Sequence, residues 1–135
     1  MGYELSSQND GVIHMTGQIS NLHPDLMAVL TQLEHRLGFE LQIVSGYRTV
    51  EHNKEVGGVA VSEHTADPAL AADVLCQRST TRYKMLRELF SMAVRRIGIG
   101  NTFIHIGIST THPADVVWTY YPDATAGGRA SQVQV

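Results

Sequence analysis

Three residues of this chain, His64, Asp73 and His105, carry side chains that could ligate one metal ion. The first two lie in the stretch VSEHTADPALAADV, residues 61–74, where a histidine sits among acidic side chains in a run otherwise built of small apolar residues. Asp73 stands between Ala72 and Val74 in the part of that run that reads as buried. A buried carboxylate needs a partner, and a metal ion or an arginine such as Arg48 would serve. His105 lies in TFIHIGI, whose alternation puts Phe103, His105 and Gly107 on one strand face and Ile104, Ile106 and Ile108 on the other. The isoleucines suit a core, and Gly107 leaves room for a ligand beside the imidazole. A catalytic zinc takes three nitrogen or carboxylate ligands and keeps a fourth position for water. A lone strand histidine is more often structural, so the metal hypothesis rests on the three residues together.

Other chemistries are poorly supplied. Cys76 is the only cysteine, which rules out an intrachain disulfide and a multi-thiolate zinc site, and its apolar setting suits a buried inert thiol. Seven histidines are many for 135 residues, but His14, His23 and His112 fall in turn-like sequence and His35 lies off an apolar helix stripe. Arg82, Lys84, Arg87, Arg95 and Arg96 fit the solvated faces of one helix, and the net charge is -3. Neither nucleic acid nor an anionic membrane is therefore an expected partner. There is no basic start followed by an apolar stretch, and no apolar run approaches the ~20 residues that span a bilayer. The expectation is a soluble protein without a signal peptide.

These residues need elements to hold them. HPDLMAVLTQLEHRLG predicts a helix with Pro24 and Asp25 at its start, Leu26, Val29, Leu30, Leu33 and Leu37 on one face, and Gly38 as the stop. STTRYKMLRELFSMAVRRIG predicts a second helix, capped from Ser79, Thr80 or Thr81 and ended by Gly98, with Leu86, Leu89, Phe90, Ala93, Val94 and Ile97 inward. Strands are expected near Val12–Met15 and in FELQIVSG, AADVLC, TFIHIGI and DVVWTYY, with a long irregular segment over 47–72. The fold expected is α+β, a small antiparallel sheet with two main helices. One domain over 1–122 and a disordered tail over 123–135 complete the expectation, with a monomer as the assembly.

The series SGYRTVEHNKEVGGVAVSEH, then AADV, then TFIHIGI, resembles the zinc D-alanyl-D-alanine carboxypeptidase and peptidoglycan endopeptidase family, including its phage cell-wall representatives. The Hedgehog signalling domain shares that fold. The resemblance covers roughly residues 25–121. It implies a Hedgehog/DD-peptidase-like fold and a zinc site of His64, Asp73 and His105. It also implies that Arg48 helps hold substrate and stabilises charge on the attacked carbonyl, a role that suits a permanently charged fork of donors. A salt bridge pinning the loop is the plainer alternative for Arg48. Ser62 matches the serine of the S-x-H element, where it orders the loop or touches substrate, and His52 matches a position that bonds within the loop.

Two departures from the family pattern bear on function. The interval from His64 to Asp73 is two residues longer than the family's H-x-x-G-x-A-x-D, which leaves Asp67 as the fallback ligand. The position three before the last histidine, acidic in many relatives, is Thr102, and the position two after it is Gly107. A general base contributes on the order of 10²–10⁴ in rate, and none is assigned; Glu63 and Asp115 carry no spacing argument. The leading expectation is a zinc peptidase acting on bacterial cell-wall stem peptides as a carboxypeptidase or endopeptidase. The alternative is a catalytically idle zinc-binding or structural domain of the same fold, for example in a phage particle.

Overall fold

Leucines at helical spacing give the first long element its buried stripe. In the computed structural model, which describes residues 14–58, 62–123 and 129–130, α1 spans Pro24–Leu37 and buries Leu26, Leu30 and Leu33. His23 caps it, its Nδ1 accepting from the Asp25 amide at 3.0 Å, and Gly38 ends it in the left-handed region at φ 81°. The short α2, Val50–Glu55, starts at Thr49, whose hydroxyl accepts from the His52 amide. Ser62 starts a 3-10 turn over Glu63–Thr65, and α3 runs Ser79–Ser91 with Met85 and Leu89 buried.

The strands are β1 (Thr16–Gly17), β2 (Gln42–Ser45), β3 (Ala71–Leu75), β4 (Arg96–Ile99), β5 (Phe103–Gly107) and β6 (Val116–Thr119). They form one six-stranded sheet in the order β1-β2-β3-β5-β4-β6. A separate pair, β7 (Pro122–Asp123) and β8 (Arg129–Ala130), is antiparallel. The α+β class stands, but the sheet is mixed rather than small and antiparallel, because β1 runs parallel to β2 and β4 parallel to β6. Parallel neighbours need a crossover; α1 supplies the first, and β5 with the 108–115 loop the second. The helix count also changes, since α2 and the 3-10 turn occupy part of the segment expected to be irregular.

The largest correction concerns residues 92–99. The second helix ends at Ser91, Ala93 takes φ 59°, and Arg96–Ile99 is a strand rather than a helix tail. Phe90, expected inward, is 56 % exposed, and the helix has no side-chain cap from Ser79, Thr80 or Thr81. Gly98 therefore lies within β4 instead of stopping a helix.

One sheet face packs on the helices. Ile43, Val74, Ile97, Ile104 and Ile106 join the α1 leucines, Met85 and Leu89 in one core. Each such fully buried side chain contributes about 1.5–3 kcal/mol. Cys76 lies at this core's edge as a free buried thiol, and burial pushes its pKa up. No helix among the described residues is long and apolar enough to cross a membrane. The expected strand at Val12–Met15 lies partly outside the described residues, and the expected tail largely so.

Candidate metal centre

Alternation along β3, β5 and β4 sends the residues between the core positions to the opposite face, and a register shift between Ile43 and Ser45 of β2 brings Ser45 round to that face as well. Ser45 of β2 faces Asp73 of β3, Asp73 faces His105 of β5, His105 faces Gly98 of β4, and Gly98 faces Trp118 of β6. A row of five strands thus presents serine, aspartate, histidine, glycine and tryptophan on one face. Gly98 keeps the row shallow in its centre: a Cβ there would stand 2.7 Å from Trp118 Cε2. Trp118 packs with its ring centroid 5.1 Å from that of His105.

His64 reaches this row from the 3-10 turn. Its amide donates to Ser62 Oγ at 3.1 Å, and its Nδ1 sits 2.7 Å from the Gly46 carbonyl, which turns Nε2 toward the sheet. His64 Nε2 lies 3.3 Å, and His105 Nδ1 3.0 Å, from the same atom, Asp73 Oδ1. All three residues are buried, and one ligand atom from each lies within 4.8 Å of the others. Two imidazole nitrogens and a carboxylate oxygen are a donor set suited to zinc, and three protein ligands leave a further position open. Asp67 is not part of the group: it is exposed and accepts from Asn21 at 2.9 Å.

Arg48 flanks the cluster with NH2 3.6 Å from Asp73 Oδ2. Its Nε donates to Ser45 Oγ at 3.1 Å and its NH1 to Asn53 Oδ1 at 3.0 Å. The plainer sequence reading of Arg48 is met here, an ion pair with Asp73 and bonds to its own loop, and the same arginine borders the candidate ligands. Asn53 is buried against Gly58, where any Cβ would run into its amide. The HN and VGG elements of the sequence thus act through one side chain, the asparagine that holds Arg48.

The electrostatics follow from burial and pairing. Burial opposes ionisation of Asp73, but hydrogen bonds with His105 and His64 outweigh it and hold the carboxyl well below its usual range. Burial likewise would lower the His105 imidazole, yet Asp73 and Glu63 on its two nitrogens raise it to about 9. Tyr120 enters the same field: burial, then the Asp73 charge, pushes its phenol up.

Glu63 is the residue that sequence reasoning left without a place. Its side chain is 2 % exposed, with Oε1 2.9 Å from His105 Nε2 and Oε2 accepting from the Ser109 amide at 3.0 Å. Arg96 Nε stands 3.0 Å from the same Oε2, an ion pair whose N–H is not aimed squarely at the oxygen. Burial alone would raise the Glu63 carboxyl, but His105 and then Arg96 and the Ser109 amide bring it to about 2. Arg96 is accordingly no part of a solvated helix face; it is buried on β4, 5.1 Å over the Trp118 ring. The available signal was an acid next to a candidate ligand, but only the fold, which sets the 3-10 turn over Gly107, shows where it points. Thr102 lies exposed in the turn between β4 and β5.

A sequence model of the family described as Peptidase M15 matches residues 3–107. Searches of curated proteins and of solved structures returned no match. Peptidases of that family are zinc-dependent, and the buried His–Asp–His group is able to bind a metal ion.

Proposed function

Because this chain belongs to the Peptidase M15 family, we propose that it is a zinc peptidase that hydrolyses stem peptides of bacterial peptidoglycan. The observation that carries this reading is the convergence of His64 Nε2 and His105 Nδ1 on Asp73 Oδ1 in a buried row of the sheet. These three side chains would hold the ion. Bound there, zinc supplies a Lewis acid for the scissile carbonyl and lowers the pKa of water toward ~7.

The chain's own residues do the rest. Arg48, braced by Ser45 and Asn53, presents a fixed guanidinium to the developing oxyanion or to a terminal carboxylate of the peptide. Ser62 orders the His64 turn through its hydroxyl and borders the substrate. A single domain over 1–122, working as a monomer on the cell wall, completes the proposal. Both D-alanyl-D-alanine carboxypeptidase and endopeptidase cleavage fit these residues.

A second reading, an idle zinc-binding domain of the same fold, has a specific observation in its favour. Thr102 has no carboxyl to act as base, and both oxygens of Glu63 are already engaged. Digestion of purified peptidoglycan and free stem peptides, with and without chelator and read by mass spectrometry, separates the two. Chelator-sensitive loss of D-alanine or a new internal cut supports the peptidase. A folded, zinc-loaded protein that cuts nothing selects the idle domain.

A further inference from the structure

The residues beside the metal row form a second row one pleat along. Ala71 of β3 faces Gly107 of β5, and Gly107 faces Arg96 of β4. Because Gly107 carries no side chain, the space above it is open, and the Glu63 carboxylate fills it from the 3-10 turn: a Cβ on Gly107 would collide with both Glu63 oxygens. From that place Glu63 meets three groups at once, the Arg96 guanidinium, the Ser109 amide and the outer nitrogen of His105.

The two sides of the His105 ring are not equivalent. Nδ1 faces Asp73 and, beyond it, His64; Nε2 faces only Glu63 among its hydrogen-bond partners. A metal held by Nδ1 would take the place of its contact with Asp73 and would leave the Nε2–Glu63 contact intact. An imidazole whose far N–H is held by a carboxylate is fixed in tautomer and orientation and becomes a more basic ligand.

Resting on the zinc reading above, we propose that Glu63 is a positioning residue that locks His105 as an Nδ1 ligand, and that Gly107 is glycine so that this carboxylate can reach it. Glu63 is therefore not a base facing the substrate. It sits behind the ligand, anchored by Arg96 and the Ser109 amide. The acid adjoining His64 in sequence thus serves the other histidine of the site.

The test uses the full chain with zinc as the probe and two readouts other than activity. Imidazole ¹⁵N NMR on zinc-loaded wild-type protein should show His105 with a protonated Nε2 and a metal-bound Nδ1. Competition against a chromogenic chelator should show zinc bound ten- to a hundredfold more weakly by Glu63→Gln, with the fold retained by circular dichroism. In a Glu63→Ala background, Gly107→Asp returns a carboxylate to the same space and should recover part of the lost affinity. Metal on Nε2, or a folded Glu63→Gln with affinity within twofold of wild type, overturns the proposal. If Glu63→Gln does not fold, the wild-type tautomer alone decides. Wild-type protein that binds no zinc removes the zinc reading as well, whereas normal zinc binding with an unaffected Glu63→Gln removes this inference alone.

Discussion

At the residue scale, two of the three candidate ligands were legible because they violated their surroundings. Asp73 is a carboxylate in a run of alanine and valine, and His105 interrupts a strand of isoleucines. Such placements need partners, and the structure supplies them as a shared cluster. Glu63 and Arg96 were not legible, because one sits in a turn and the other in a basic stretch, where charge is ordinary. Only tertiary pairing makes them buried. Arg48 is the residue whose removal should separate binding from catalysis. Arg48→Ala should lower kcat by about 10²–10³ while one zinc stays bound, measured by steady-state peptide cleavage beside metal analysis. Arg48→Lys should recover little, because a single ammonium cannot span Ser45, Asn53 and a substrate oxygen as the fork does. In the metal-free protein the pairing of His105 also predicts a pH effect. Its pKa is raised from 6.5 to about 9, so its stabilisation is complete below about 6.5 and is lost as pH rises through about 9. The melting temperature of chelator-treated protein should fall across that window, and a His105→Gln variant should lack the fall.

At the scale of elements, periodicity identified α1 and β5 and misread the segment after α3. The apolar positions Val94 and Ile97 continue a helical spacing from Leu86 and Leu89, so a helix to Gly98 fits the pattern as well as a helix and a strand do. Ala93 in the left-handed region breaks the run, and pairing of β4 with both β5 and β6 outweighs local propensity. The two-residue β1 was too short to show a period at all. The strand assignment of Gly98 has a direct consequence. Gly98→Ala places a methyl against Trp118 and should cost about 1–3 kcal/mol by overpacking, read by denaturant unfolding. A helix-terminating Gly98 would show no coupling to Trp118. Leu30→Ala, in the fully buried stripe of α1, should cost about 2–5 kcal/mol without changing zinc affinity.

At the scale of the whole molecule, a single sheet divides the labour. Its helix-covered face supplies the core, and its other face aligns Ser45, Asp73, His105, Gly98 and Trp118 across five strands. Asp73 and His105 are held by backbone pairing, so these two candidate ligands are preorganised by the same bonds that define the fold, while His64 reaches them from the 3-10 turn. Metal and fold are consequently linked. At a thousandfold excess of zinc over its dissociation constant the native state gains about 4 kcal/mol, and chelation should lower the melting temperature accordingly. The most direct test of the account is zinc add-back. Protein stripped by chelator is titrated with zinc while cleavage of a peptidoglycan stem peptide is followed by mass spectrometry. The account predicts no cleavage without metal and recovery in proportion to zinc, ending at one equivalent per chain, with none in His105→Ala. Cleavage that survives stripping, or one bound zinc with the peptide left whole, would contradict it.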